Sequence, residues 1–376
     1  MNKKKIAIVR GKFLNKYEMQ SFEPLASRYD LIAFGSKTSY HDKFLFPVVK
    51  LSSPLDLPSF PYKIQILNRL FSDAHYLLGL ERKLLGFDIA HTAETYFHYT
   101  RQCLIAKKKG HVKKVVATVW ENIPFNNEGV WGRTALKRNA ILQIDHFVAV
   151  TNASREALLL EGVDESKISV INPGIDTKIF KPVRKSYVKK DINVLFVGRL
   201  EDCKGVFEVI FAAKKLLQDV ELKEYKLKFT FVGEGSRKQR LLKLEKRLGI
   251  EKFIIHKSVS YGKITKEYDK ADIFLAPSKS TSTWKEQYNM ALMEAQSCGL
   301  PVITTRSGGI EENIGNAGVY VPEADFETLY KEIKNLILTP KRRIGLSLKA
   351  RKRAVGIHDV RLAARKIDVL YGELLK

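Results

Sequence analysis

Residues 284–305 read WKEQYNMALMEAQSCGLPVITT, and this stretch predicts a loop, a helix and a strand in succession. Residues 290–298 have the composition of a strong helix former, and Asn289 in front of them is a good N-cap residue. Gly299 and Pro301 predict the end of the helix, because glycine favours the position after a helix and proline cannot continue one. Residues 302–305 then predict a buried strand.

Two glutamates flank the predicted start of this helix. Glu286 lies in the loop before it, and Glu294 lies one turn into it. A helix N-terminus has unpaired amide groups and a partial positive charge, which suit a phosphate. A carboxylate on either side of that phosphate can bind the hydroxyl groups of an attached sugar or ribose. Taken alone, the pattern also fits a surface helix with two solvated glutamates.

Strands and helices alternate along most of the chain in two series. Apolar runs predict strands of the first series at residues 6–9, 31–34, 89–92, 115–119, 146–150 and 168–171. Those of the second series are predicted at residues 194–197, 229–232, 253–255, 273–276 and 302–304, with helices at 207–217 and 237–248. Residues 173–190 carry two prolines and scattered lysines, which are typical of a linker. The alternation predicts two α/β domains with parallel sheets.

Several segments resemble, in the same order, the motifs of the retaining glycosyltransferases of family 4, which have the GT-B fold. Glu286 and Glu294 resemble the two glutamates of that family's motif, which are separated by seven residues. The resemblance is strong over residues 170–330 and weaker before them. The other matching segments are residues 170–177, 194–205, 231–235, 271–278 and 307–312.

The resemblance implies an α/β protein of the GT-B class, with two Rossmann-like domains facing each other across a cleft. The N-terminal, acceptor-binding domain is expected at residues 1–172 and the interdomain linker at 173–190. The C-terminal, nucleotide-sugar-binding domain is expected at residues 191–355. Residues 356–376, which include an amphipathic pattern over residues 360–374, are expected to form a helix that returns to the first domain.

The donor site implied by the resemblance begins with Arg199 and Lys204, between a predicted strand and a predicted helix. A guanidinium can form a fork of hydrogen bonds to a diphosphate, and a lysine adds a mobile point charge. Such a pair would replace a metal ion, and no Asp-x-Asp motif lies near the predicted strand ends. We therefore expect no metal and no other cofactor.

The resemblance also assigns the remaining donor contacts. Glu286 matches the residue that contacts the donor sugar, and it is a catalytic candidate together with Arg199 and Lys204. Glu294 matches the residue that holds the ribose hydroxyls. The amides of Asn289 and Met290 would complete the phosphate site, with asparagine standing where the family usually has glycine.

Two further donor contacts are expected from backbone groups. Gly11 follows the first predicted strand, where a glycine lets the backbone approach bound phosphates. The base is expected to contact the backbone near Val259.

The acceptor side departs from the family pattern. Residues 87–94 resemble a strand end that lines the cleft, where His91 is either a buried structural residue or an acceptor contact. Many members of the family have histidine at the position of Trp120. Here Trp120 would pack against a sugar or against the chain, and Glu121 beside it is a candidate acceptor contact.

The chain has a formal net charge of +24 and a pI of about 9.7. The basic residues form short clusters, so the charge fits either a solvated lysine-rich surface or docking on an anionic membrane. No apolar run is long enough to cross a bilayer, and the N-terminal pattern is not that of a signal peptide. Cys103, Cys203 and Cys298 predict neither a disulfide framework nor a zinc site. We expect a cytoplasmic protein, with the inner face of the cell membrane as a candidate docking surface.

Residues 57–87 interleave apolar and basic side chains. An amphipathic basic segment of this kind can lie on a membrane. The apolar spacing is more typical of a segment that builds a core face, and we adopt that interpretation.

The combined pattern predicts a metal-independent, retaining glycosyltransferase that moves a sugar from a nucleoside diphosphate sugar to a glycan or lipid-linked acceptor. An inactive GT-B relative that serves as the partner of another protein is an alternative, because Trp120 departs from the family. A basic nucleic-acid-binding protein is another, but it would lack a recognisable binding motif and leave the glutamates unexplained. We therefore expect no nucleic-acid partner. A GT-B epimerase shares the fold but not this pattern of residues.

Overall fold

The computed structural model describes residues 3–71, 73–183 and 186–376, and they divide into two compact units. The first unit contains the chain up to Gly174 together with Val360–Lys376, and the second contains Ile175–Asp359. Each unit has a parallel sheet with helices and its own buried apolar core. The predicted domain and linker boundaries stay a prediction.

Within the described residues, the sheet of the first unit has seven parallel strands in the order β3-β2-β1-β4-β5-β6-β7. These are β1 (Lys5–Gly11), β2 (Asp30–Ser36), β3 (Val48–Leu51), β4 (Phe87–Ala93), β5 (Val112–Val119), β6 (His146–Ala149) and β7 (Ile168–Val170). The helices are α1 (Lys16–Met19), α2 (Lys63–Phe71), α3 (Leu80–Lys83), α4 (His98–Lys108), α5 (Arg133–Gln143) and α6 (Asn152–Leu160), with α14 (Val360–Leu374) from the end of the chain.

In the described part of the second unit, six parallel strands follow the order β10-β9-β8-β11-β12-β13. These are β8 (Asp191–Val197), β9 (Lys226–Val232), β10 (Ile254–Lys257), β11 (Ile273–Ala276), β12 (Val302–Thr304) and β13 (Val319–Tyr320). The helices are α7 (Val206–Gln218), α8 (Lys238–Leu248), α9 (Thr265–Lys270), α10 (Met290–Ser297), α11 (Ile310–Ile314), α12 (Phe326–Leu338) and α13 (Pro340–Arg353).

Both sheets reverse their strand order at one point, as Rossmann-like sheets do. The reversal lies between β1 and β4 in the first unit and between β8 and β11 in the second. Ligands of such sheets bind outside the carboxyl ends of the strands at this point. The loops that follow these four strands are therefore the first places to look for a site.

The strands predicted from apolar runs are confirmed, because strands covered on both faces read as continuous apolar segments. β3 and β13 were not predicted, since they are only four and two residues long. The predicted C-terminal helix is confirmed as α14, and its buried residues Ala364, Ile367 and Tyr371 recur at helical spacing.

The interpretation of residues 57–87 as a core face is wrong for much of the segment. Leu67 and Ala74 are buried, but Tyr62 is 75% exposed and Leu70 is 70% exposed. Only a narrow face of helix α2 is therefore buried. The other exposed apolar side chains of α2 and of the segment before it are Leu57, Phe60, Ile64, Ile66 and Phe71.

Candidate active site

An ion pair between Lys204 and Glu286 forms the centre of a polar cluster in the second unit. Lys204 Nζ donates to Glu286 Oε2 over 2.6 Å, and the glutamate is 5% exposed. Ser278 Oγ donates to the same oxygen over 2.8 Å, and Asn289 Nδ2 donates over 3.2 Å. Three donors from two loops, the one after β8 and the one between β11 and α10, therefore converge on one carboxylate oxygen, which fixes the orientation of Glu286.

Lys204 belongs to the loop after β8, and glycines allow the close approach of that loop to its neighbours. Gly205 has φ +69°, and a Cβ there would lie 2.0 Å from the carbonyl oxygen of Pro277. A Cβ at Gly233, after β9, would lie 1.9 Å from the carbonyl oxygen of Gly198. Glycine is therefore needed where the loops after β8, β9 and β11 pack together. Lys204 Nζ also lies 4.9 Å from the centre of the Trp284 ring.

The start of α10 differs from the sequence prediction in one respect. Asn289 is the residue before the helix, but its side chain makes no capping hydrogen bond. Its φ of 62° is in the left-handed region, which asparagine tolerates better than most residues. The side-chain amide donates to Glu286 instead, so the prediction of a side-chain N-cap is wrong.

Glu294 is enclosed by the second unit and is 3% exposed. Its Oε2 accepts a hydrogen bond of 2.5 Å from the Tyr268 hydroxyl. Its Oε1 is also buried and has no direct hydrogen-bond partner among the residues that the structure describes. Burial raises the pKa of Glu294 to about 7, although the hydroxyls of Tyr268 and Tyr261 act in the opposite direction.

The other predicted donor residues of the second unit lie on neighbouring loops. Arg199 follows β8 and is exposed, Met290 begins α10 and is half-buried, and Val259 follows β10 and is half-buried. The structure joins Lys204, Glu286 and Asn289 by direct contacts. The roles of Arg199, Met290 and Val259 stay predictions.

Gly11 and His91 belong to the first unit. Gly11 ends β1 with φ +54°, a conformation that favours glycine. His91 is fully buried in β4, and its two ring nitrogens bond to the Tyr371 hydroxyl over 2.6 Å and to Thr118 Oγ1 over 2.7 Å. Burial holds the pKa of His91 well below its usual range. This environment agrees with the structural alternative for His91 and gives no support to an acceptor contact.

Trp120 and Glu121 follow β5 in the first unit. The Trp120 amide donates to Glu94 Oε1 over 2.9 Å. Glu121 Oε1 accepts from the amides of Asn122 and Ile123, and its Oε2 accepts from the side chains of Asn126 and Asn127. Glu121 thus organises its own loop, and its acceptor role stays a prediction.

Three residues that shape this cluster were not predicted from the sequence. Ser278 contacts Glu286 directly, Ser307 Oγ accepts a hydrogen bond from the Glu286 amide over 3.3 Å, and Tyr268 holds Glu294. Each of the two serines closely follows a predicted strand, and that position is the signal that could have identified them. Tyr268 lies inside α9 and carries no such signal.

In the described ranges, no group of three or more His, Cys, Asp and Glu side chains is placed to hold a metal ion. The expectation of a metal-independent reaction stays a prediction. No described helix is long and apolar enough to span a bilayer.

Solved structures define the fold class. The Anabaena protein HepE in complex with UDP aligns with a TM-score of 0.78 at 16% identity, over 98% of this chain and all of that one. A glycosyltransferase from Rickettsia africae aligns with a TM-score of 0.77 at 21% identity, over the full length of both chains. Sucrose-phosphate synthase from Thermosynechococcus elongatus gives 0.75 at 17% identity, over 99% of both chains. The fold is that of the GT-B glycosyltransferases.

Family models divide the chain into the same two halves. The model described as Glycosyltransferase Family 4 matches residues 28–179, and the model described as Glycosyl transferases group 1 matches residues 178–353. Together the two models cover residues 28–353, and the chain belongs to the glycosyltransferases that they describe, which confirms the family resemblance seen in the motifs. The retaining character of the reaction stays a prediction.

Curated relatives are distant. D-inositol 3-phosphate glycosyltransferase 2 of Catenulispora acidiphila is 29% identical over 53% of this chain and 49% of its own length. The D-inositol 3-phosphate glycosyltransferase of Kineococcus radiotolerans is 26% identical over 60% of this chain and 56% of its own length. The chain thus spans about half the length of these curated relatives.

Proposed function

We propose that this protein is a retaining, metal-independent glycosyltransferase that transfers a sugar from a nucleoside diphosphate sugar to a glycan or lipid-linked acceptor. The observation that carries the proposal is the cluster around Glu286, in which Lys204, Ser278 and Asn289 all donate to Oε2. Family membership supports it, as does the buried Glu294 in helix α10, which begins directly after Asn289.

In this proposal, Lys204 and Arg199 neutralise the diphosphate as the bond to the sugar breaks. Charge-assisted hydrogen bonds of this kind are stronger than neutral ones, and they strengthen as charge develops on the leaving group. Asn289 and Met290 offer amides at the start of α10, and Gly11 and Val259 contribute backbone contacts. Glu286 orients the donor sugar through a carboxylate that its three donors hold in place.

Retention of configuration follows a front-face route in this proposal. The anomeric carbon loses the diphosphate, whose oxygen accepts the proton of the acceptor hydroxyl, and the new bond forms on the same face of the sugar. The route requires no enzyme nucleophile. Trp120 and Glu121 remain candidates for the acceptor side, with the first unit as the acceptor half.

Nucleotide binding tests the donor site. UDP is the first nucleotide to examine, because one structural neighbour was solved in complex with it. UDP should raise the melting temperature of the wild type, because a ligand that binds only the folded state stabilises it. Glu294→Gln should lose most of that shift, whereas the exposed control Glu251→Gln should retain it. If no nucleoside diphosphate shifts the wild type, the inactive-relative alternative gains support.

Proton release provides a sharper test of Glu294. Its pKa of about 7 means that the carboxyl is partly protonated near neutral pH. Ribose hydroxyls that donate to the carboxylate favour its ionised form, so nucleotide binding should lower this pKa and release up to about half a proton at pH 7. Calorimetry in buffers of different ionisation enthalpy measures this release. The release should be larger in the wild type than in Glu294→Gln; equal values would contradict the assignment.

The proposal also includes cytoplasmic action at an anionic membrane surface. Helix α2 and the segment before it expose several apolar side chains together with Arg69, and the chain carries a formal net charge of +24. Exposed apolar clusters of this kind are uncommon on monomeric proteins and often mark a binding surface. Basic side chains add attraction to anionic headgroups.

Vesicle sedimentation tests this membrane contact. The wild type should sediment with phosphatidylglycerol vesicles more than with phosphatidylcholine vesicles. The double variant Ile66→Ser with Leu70→Ser should lose most of that binding, because it removes apolar groups that would enter the interface. Leu160→Ser, which changes an exposed leucine of α6, is the matched control. Equal sedimentation of all three proteins would exclude this surface as the membrane contact.

A further inference from the structure

Glu94 occupies the position directly after β4, at the point where the strand order of the first sheet reverses. Its φ is +58°, a conformation that residues other than glycine seldom adopt. The backbone is fixed on both sides, since its amide donates to the Thr118 carbonyl over 2.8 Å and its carbonyl accepts from Thr100 Oγ1 over 2.9 Å. The chain thus holds this side chain at the edge where ligands of such sheets bind.

Only one of the two carboxyl oxygens of Glu94 has a hydrogen-bond partner among the described residues. The residue is 4% exposed, and its Oε1 accepts the Trp120 amide over 2.9 Å. Its Oε2 is buried without a hydrogen-bond partner in the part of the chain that the structure describes. A buried polar atom without a partner is unusual and requires an explanation, and a bound ligand is one.

Two buried cations of the first unit, Arg133 and Lys137, are paired with carboxylates other than Glu94. Arg133 is held by Asp73 over 2.8 Å and lies over the Tyr96 ring at 5.0 Å. Lys137 is held by Glu161 over 2.5 Å and by Glu128 over 3.1 Å. These two cations are therefore already paired with carboxylates.

The groups that influence Glu94 keep its proton in place near neutral pH. Burial raises its pKa to about 8; the backbone amides of Trp120 and Glu121 oppose this, and the charges of Glu121 and Glu161 add to it. Burial raises the pKa of Tyr96 and of Tyr99 well above the usual value for tyrosine, and the nearby Glu94 adds to this effect. Because Oε1 accepts an amide hydrogen, the proton belongs on Oε2. The carboxyl then presents a hydroxyl-like donor, with the charge of Glu121 close by.

We propose that Glu94 binds a hydroxyl group of the acceptor through Oε2, so that this subsite takes an uncharged sugar or polyol and excludes a phosphate. The inference rests on the proposed transferase function and specifies the acceptor class for it. A neutral hydroxyl can both accept from and donate to the carboxyl. A phosphate would meet the neighbouring carboxylates of Glu121 and Glu161, and like charges brought together disfavour binding.

Ligand-observed NMR and calorimetry on the UDP-saturated protein test this inference. The probes are uncharged octyl gluco-, galacto- and mannosides and their 6-phosphate counterparts. The wild type should bind at least one uncharged glycoside, and its phosphate should bind at least about tenfold more weakly. Glu94→Leu should raise the Kd for that glycoside at least about tenfold. Glu94→Gln, whose amide can donate from the same position, should stay within about threefold of the wild type.

Melting curves of the two variants distinguish the loss of a direct contact from a loss of folding. Glu94→Leu removes a buried ionisable group, and its melting curve shows whether the fold is kept. Glu156→Gln, an exposed glutamate on α6, is the control and should bind as the wild type does.

Three results would overturn the inference: tighter binding of the phosphates, wild-type binding by Glu94→Leu, or binding by Glu94→Gln as weak as by Glu94→Leu. Binding of UDP without any of the glycosides would also overturn it, while leaving the donor site intact. Failure of every nucleoside diphosphate to bind would instead refute the proposed function on which it rests.

Discussion

Replacing Glu286 with glutamine should lower the rate of sugar transfer at least about a hundredfold, equivalent to roughly 2.7 kcal/mol of transition-state stabilisation. The substitution keeps the size of the side chain but removes the charge that orients Lys204, Ser278 and Asn289. UDP binding should persist or tighten, because Lys204 is released from its ion pair and becomes available to the diphosphate. The expected signature is therefore a fall in kcat without a rise in the Kd for UDP.

A radiolabelled transfer assay and calorimetry measure the two quantities separately. Glu251→Gln, a change at an exposed glutamate of the same unit, should leave both near the wild-type values. Transfer by Glu286→Gln within about threefold of the wild type would contradict the central role of Glu286.

Substitution of Glu286 also distinguishes two routes by which the anomeric configuration can be retained. If Glu286 were the nucleophile, azide should restore turnover in Glu286→Ala by attacking the anomeric carbon from the vacated face. In the front-face route that we propose, azide should not restore turnover. Formation of a glycosyl azide would therefore exclude the front-face route.

The sequence predicted most of the fold because parallel strands covered on both faces leave a simple pattern. Residues 273–276 and 302–304 are continuous apolar runs, and both became strands with the predicted bounds. β13 is only two residues long, and a run of that length has no periodicity to detect. In residues 57–87, helical spacing of apolar residues was detected, but spacing does not reveal whether a partner covers that side of the helix.

Motifs specify residue types, so the sequence predicted which residues belong to the candidate site. It did not predict the contacts between them. The approach of Lys204 to Glu286 depends on loops that are 82 residues apart in the chain, and sequence spacing does not encode that contact. Asn289 was correctly assigned to the start of α10, but its positive φ turns the side chain to Glu286 and away from a capping role. The environment of Glu294 depends on Tyr268, whose hydroxyl reaches it through tertiary packing.

The largest effect on stability is expected at Arg10, a fully buried residue of β1. Its Nε donates to Glu18 Oε1 over 2.8 Å, and its Nη2 lies 2.8 Å from the same oxygen in the ion pair. Its Nη1 donates to the carbonyls of Val9 and His91. Glu18→Gln should destabilise the first unit by about 3–5 kcal/mol, because it leaves a buried guanidinium without its counterion. Urea unfolding, fitted with a separate transition for each unit, measures this loss.

Two further variants test the physical reason for this loss. Glu165→Gln breaks a surface ion pair with Arg155 and should change the unfolding free energy little, because exposed pairs are screened by solvent. The double variant Arg10→Met with Glu18→Leu should recover much of the stability lost in Glu18→Gln, since it leaves no unpaired charge in the core. If the double variant is less stable than Glu18→Gln, the hydrogen bonds of Arg10 to Val9 and His91 matter more than the charge. A loss below about 1 kcal/mol in Glu18→Gln would mean that the guanidinium finds another partner or reaches water.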